Sequence, residues 1–162
     1  MTLTDVWMWI EMQPFSEYIG GSAWFPLLES VHVIAVTFIV GSILMADLRL
    51  LGWAARRYAA RAVIGEILPW TWAAFGLSAL TGVALFITRA SAYAENPAFQ
   101  IKLVLLVLAG MNAAILHRAI VGARTNRDID PSSLLSGRIA GASSLVLWAL
   151  VVLAGRWIGH LS

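Results

Sequence analysis

Cysteine is absent from this chain of 162 residues, and charged residues make up only 12% of it. Without thiols there is no disulfide framework, no thiolate metal site and no thiol redox chemistry, so any redox function must come from a bound cofactor. An ordinary soluble domain is about 25% charged, and a chain this poor in charge, 60% apolar, has too little polar surface to face water. The sequence also lacks a nucleophile paired with a base, a phosphate-cradling loop and a carboxylate pair placed for acid–base work. An independent hydrolase or transferase activity therefore has no signature to stand on, and a membrane-bound redox protein is the enzyme class left open. The N-terminus reads as retained, because Asp5, Glu11 and Glu17 interrupt what would have to be the apolar core of a signal peptide.

What is present is hydrophobic length. The expected fold is all-α: a bundle of four transmembrane helices in one membrane domain, 1–162, preceded by a short N-terminal helix at the interface. The spans are read at about 24–52, 69–92, 97–121 and 134–159, each long enough to cross a hydrocarbon core of about 30 Å. Residues 1–23 form an interfacial segment in which apolar Val6, Trp7 and Ile10 mix with Asp5 and Glu11. Pro14 and the Gly20-Gly21-Ser22 run break the chain after it. Trp53–Glu66 is read as a basic, amphipathic connection and Gly122–Ser133 as a polar loop.

Arg49, Arg56, Arg57, Arg61, Arg118, Arg124, Arg127 and Arg138, eight of the eleven basic residues, fall on one side of these spans. By the positive-inside rule that side is cytoplasmic, which puts both termini outside a bacterial inner membrane. The tryptophans agree, since Trp7, Trp9, Trp24 and Trp157 mark one boundary and Trp53, Trp70 and Trp72 the other. The basic residues thus follow topology, and no nucleic-acid partner is expected. Small residues four apart mark candidate helix seams: Ser78 with Gly82, Ala109 with Ala113, Gly137 with Gly141 and Gly155 with Gly159.

Polar residues inside the spans are where function is sought, because a charge there costs about 2.5–3.5 kcal/mol on insertion scales. Six stand out: Glu29, His32, Asp47, Lys102, Asn112 and His117. At about 100° per residue, Glu29 and Asp47 share an azimuth on the first span and His32 lies roughly 60° away. On the third span Lys102 and His117 are also roughly 60° apart, with Asn112 about 80° to the other side. Two stripes suggest helices that face one another, with Glu29 approaching Lys102 and Asp47 approaching His117. The plain alternatives are a structural Glu29–Lys102 ion pair and an Asp47 pairing with Arg49 or Arg118.

An imidazole at membrane depth is a haem ligand, a copper or zinc ligand, a proton relay or a packing residue. Counting about 1.5 Å per residue from the arginine-rich boundary places His32 and His160 within about 3 Å of the same height, close enough to share one iron. His117, roughly 10 Å from that boundary, needs another ligand, such as Met45 or a residue of a neighbouring subunit.

The runs Glu29-Ser30-Val31-His32, Asp47-Leu48-Arg49-Leu50-Leu51-Gly52 and Asn96-Pro97-Ala98-Phe99-Gln100-Ile101-Lys102, with Gly41, Asn112 and His117, resemble a family of small uncharacterised bacterial four-helix membrane proteins. The resemblance covers about residues 24–159. That family is similar in size and histidine placement to transmembrane b-type cytochromes and to copper-resistance D-type membrane proteins. It implies a haem b or metal site, with Glu29, His32, Asp47, Arg49, Asn96, Pro97, Lys102, Asn112 and His117 as its marked positions. Because the family carries an aromatic where this chain has His160, the resemblance favours His117 over His160.

Three functions follow as expectations. The first is a cytochrome-like carrier of electrons, with haem b held by His32 and by His117 near opposite faces, two haems at different depths forming a path across the membrane (His160 the other candidate), and with Glu29, Asp47, Asn112 and Lys102 as neighbours. The second is a transport component in which the same residues handle protons or a metal ion, His32 and His117 being the metal ligands. The third is a structural or accessory subunit. Expected partners are the lipid bilayer, further copies of the chain, and a redox partner or quinone.

Overall fold

The computed structural model describes residues 2–55, 57–122 and 135–161. The polar loop expected between the third and fourth spans, and the ring of His117, lie outside what is described. Among the described residues every regular element is helical: α1 (Leu3–Glu11), α2 (Pro14–Gly20), α3 (Trp24–Leu50), α4 (Ala60–Ile87), α5 (Ala90–Glu95), α6 (Pro97–Gly122) and α7 (Leu135–Leu161). The chain is an all-α bundle, and α3, α4, α6 and α7 each contain a stretch long and apolar enough to cross a membrane. At 26–28 residues these helices run to about 40 Å, longer than a hydrocarbon core of about 30 Å. Their outward surfaces are apolar, with Ile34, Leu80 and Val104 all exposed, as a surface solvated by lipid requires. This is a multi-pass membrane protein.

Local sequence sets most of the helix ends. A capping box starts α1: the Thr2 N–H donates to Asp5 Oδ2 at 2.6 Å, and the Asp5 N–H donates back to Thr2 Oγ1 at 3.3 Å. These bonds, the backbone one foremost, hold the Asp5 carboxyl below its usual range. Pro14 is the first residue of α2, a position where its missing N–H costs nothing. The interfacial segment is thus two short helices where one was expected. Gly52, with φ of 74°, terminates α3. The Trp53 N–H reaches the Leu48 carbonyl at 2.9 Å and the Gly52 N–H that of Arg49 at 3.1 Å, the paired bonds of a Schellman motif. Asn96 caps α6, its Oδ1 accepting from the N–H of Ala98 at 2.9 Å and of Phe99 at 3.3 Å.

The second span departs from expectation at both ends. Pro69 reads as a helix start, yet α4 begins at Ala60 and carries Pro69 inside it. A membrane helix tolerates such a proline when its surroundings satisfy the freed carbonyl. At the other end α4 stops at Ile87. Ser16 of α2 donates to the Ile87 carbonyl at 2.6 Å, and the Glu11 carboxylate accepts from both the N–H and the hydroxyl of Ser91 at 2.9 Å, capping the first turn of α5. Trp7, Phe86, Tyr93 and Phe99 close this end of the bundle, Phe86 stacking on Phe99 with ring centres 5.4 Å apart. Both described termini lie here, opposite the arginine-rich end.

The spans form two antiparallel hairpins, α3 with α4 and α6 with α7, joined chiefly where α3 packs on α7. The expectation that the polar stripes of α3 and α6 face one another is corrected by this order, since α3 packs on α4 and then α7, and α6 on α7. Gly141 makes the α3–α7 seam possible: a Cβ there would lie 3.1 Å from Leu50 Cβ and 3.2 Å from the Asp47 carbonyl oxygen. Of the other small pairs, Gly82 and Gly155 meet side chains of neighbouring helices, whereas Gly159 faces open space. Gly141→Ala should destabilise the detergent-solubilised protein by about 1–3 kcal/mol through overpacking. Gly41→Ala, which adds a methyl where nothing lies within 4 Å, should leave the melting temperature unchanged. Equal melting of the two variants would contradict the seam.

Candidate functional site

His32 sits on α3 and turns toward α4. Its Nδ1 lies 3.0 Å from the Ser78 carbonyl oxygen and 3.0 Å from Thr81 Oγ1. A carbonyl only accepts, so Nδ1 carries the proton. The Thr81 hydroxyl spends its own proton on the Leu77 carbonyl at 2.8 Å, which leaves a lone pair facing the ring. Gly82 lets the imidazole approach, since a Cβ on it would stand 3.1 Å from His32 Cε1. The neutral tautomer is thereby fixed: Nδ1 donates, and Nε2 keeps its lone pair with no hydrogen bond among the described residues.

Lys102 reaches the same region from α6. Its chain lies along Gly155 of α7, with Nζ 3.5 Å and Cε 3.6 Å from where a Cβ would be, and its charge acts on the His32 ring. Glu29 does not meet it: the carboxylate is exposed, and no Glu29–Lys102 ion pair forms. The expected pair is corrected because α7 is interposed on α6, and the Glu29 azimuth of α3 is uncovered at that height.

Asp47 has that same azimuth at the other end of α3 but is 3% exposed, because the α3–α7 seam closes over it. Ser144, buried on α7, faces the carboxyl, while Oδ2 has no hydrogen-bond partner among the described residues. Arg49 is not its partner among the described residues: the guanidinium is buried and its Nε donates to the Tyr58 carbonyl at 2.7 Å, holding the α3–α4 connection. The Asp47–His117 pairing rests on a ring outside the description.

Asn112 stitches α6 to α7. Its Nδ2 donates to the Ala140 carbonyl at 3.1 Å and its Oδ1 accepts from Ser143 at 3.3 Å. Asn96 does the same at the opposite end of the hairpin, donating to the Ile158 carbonyl at 3.2 Å. His160 is exposed on the last turn of α7. Among the described residues no group of three or more histidine, aspartate and glutamate side chains converges on a point that could hold a metal ion.

The chain belongs to DUF6644, a family of unknown function. The family's model matches residues 6–161. No curated protein and no solved structure matches the chain. DUF6644 membership therefore assigns no activity, and chemistry has to be read from the site.

The site thus consists of His32 with Lys102 in the half nearer the termini, and Asp47 with Ser144 in the half nearer the arginines. Sequence reasoning overlooked Thr81 and Ser144 and took Ser78 only as a seam residue, though these three hold the two acid–base groups. The Ser78–Gly82 spacing was a signal for a close approach, but not for a histidine as the guest. In lipid, an interhelical hydrogen bond is worth about 0.6 kcal/mol on average and up to about 1.7. Asn112→Leu should accordingly lower the unfolding free energy by about 1 kcal/mol in a denaturing-detergent titration. Unchanged stability would mean that the Asn112 bonds do not hold α6 to α7.

Proposed function

We propose that this DUF6644 chain is a haem-binding, b-type cytochrome-like protein carrying electrons within or across a bacterial inner membrane, with His32 an axial ligand through Nε2 and both termini outside. The observation that carries this reading is the Nδ1–H to Ser78 carbonyl bond at 3.0 Å. Metal-ligating histidines characteristically donate their other N–H to a carbonyl or carboxylate, which orients the ring and raises its basicity. Haem supplies a one-electron couple and needs only one or two protein ligands, whereas a copper or zinc ion needs the converging cluster that the described residues do not form.

The donor set fits haem in two further respects. Lys102 offers a cation inside the spans with no carboxylate paired to it among the described residues, as the anionic edge of a haem would require. Gly82 and Gly155 hold both side chains at close range to helix backbone. The second ligand to that iron is assigned to a residue of another copy of the chain, an oligomer completing the set; His117, fifteen residues beyond Lys102 on α6 and so about 22 Å nearer the arginines, would hold a separate group. His160, exposed on the last turn, is not favoured. A quinone or a redox protein is the proposed exchange partner.

Asp47 supports a second reading. A buried carboxylate oxygen without a hydrogen-bond partner is a feature of groups that exchange protons or ions inside membranes, so a proton- or metal-ion-handling role is the alternative.

The two readings separate experimentally. The purified chain should show a reduced-minus-oxidised absorption difference with haem bands, lost in His32→Ala and kept in His160→Ala. Absence of haem bands, together with a proton or metal flux in liposomes that disappears in Asp47→Asn and persists in His32→Ala, would replace the first reading by the second.

A further inference from the structure

Away from these residues, α3 and α4 enclose a groove of about 780 Å³ on the membrane-facing side of their hairpin, within the usual size range of small-molecule pockets, about 300–1,000 Å³. Phe38 and Met45 line it from α3, seven residues apart and so on one face. Glu66 and Trp70 line it from α4, four apart and likewise on one face. Gly41 opens its wall, with nothing within 4 Å of the position a Cβ would take. The Ser42 hydroxyl in its lining is already occupied, accepting from Thr71 at 2.9 Å and donating to the Ile39 carbonyl at 2.9 Å.

Glu66 is the anomaly. It lies within the apolar stretch Ala62–Ile87 and is exposed into the groove, with no hydrogen bond or ion pair among the described residues. It stands at the arginine-side end of α4, one turn before the boundary tryptophan Trp70, where a carboxylate at the lipid edge favours a cation beside it, and no basic side chain is among the described residues lining the groove. One turn away, the exposed indole of Trp70 offers a π-face, and the ring of Phe38 lies deeper. A negative charge beside aromatic faces, in a cleft open to lipid, is complementary to a cation spread over an apolar body. An anion would be repelled, and a neutral lipid would leave the carboxylate unanswered.

We propose that this groove is a binding site for lipophilic organic cations, with Glu66 as counter-ion, Trp70 stacked on the charged centre, and Phe38 and Met45 against the apolar part. The site is independent of the haem reading, because none of its side chains belongs to the His32–Lys102 region and its test needs no cofactor.

The test uses the full chain in liposomes and tetraphenylphosphonium as probe, followed by equilibrium binding of the labelled cation. Saturable binding is expected, weakened about tenfold or more by Glu66→Gln, the loss of roughly one charge–charge contact, and several-fold by Trp70→Leu. Tetraphenylborate, the same shape with the opposite charge, should not compete. Because Glu66→Gln is nearly isosteric, unchanged helicity and melting will certify its fold, and Trp70→Leu keeps the test decisive should it fail to fold. Non-saturable binding, equal affinity in Glu66→Gln, equal competition by tetraphenylborate, or a groove closed by cross-linking to a second copy would each overturn the proposal.

Discussion

Everything in this bundle depends on a constraint that lipid imposes: a polar group inside the membrane has no water to turn to, so a neighbouring helix must satisfy it. Each helix seam combines a small residue, which admits a close approach, with a polar atom that uses it. Gly82 admits the His32 ring to the Ser78 carbonyl, Gly141 admits the α3 backbone beside Asp47, and Gly155 admits the Lys102 chain. The Asn112 and Asn96 bonds to α7 carbonyls act similarly on the second hairpin. Apolar burial contributes little to helix choice here, since lipid tails solvate leucine as well as another helix does.

That constraint also makes the exceptions informative. Among the described residues, the Nε2 of His32, the Lys102 amine and Oδ2 of Asp47 are interior groups with bonding capacity to spare. They are distributed along the bundle, two in the half nearer the termini and one nearer the arginines. On the proposed reading the first two serve a bound redox group, and Asp47 is a separate acid–base group.

Much of this was legible in the residue string. The four spans follow from hydropathy and length, the end of α3 from Gly52, the start of α6 from Asn96-Pro97, and the close approaches from Ser78–Gly82 and Gly137–Gly141. A helical wheel, however, fixes a direction from one axis and not what stands there. Glu29 and Asp47 share an azimuth, yet one is exposed and the other buried, because α7 covers only one end of that line. The break between α4 and α5 was illegible for a related reason: Ser16 and Glu11 make it from more than 70 residues away in sequence.

The central claim is that α4 holds His32 as a neutral Nδ1–H tautomer with Nε2 available for a ligand. Nitrogen-15 NMR of selectively labelled histidine in the cofactor-free protein in bilayers, with His32 assigned through His32→Gln, reads this directly at a pH well above the ordinary histidine range. The account predicts a protonated Nδ1 and a pyridine-type Nε2. A proton on Nε2 instead, or a ring that exchanges freely between tautomers, would contradict it.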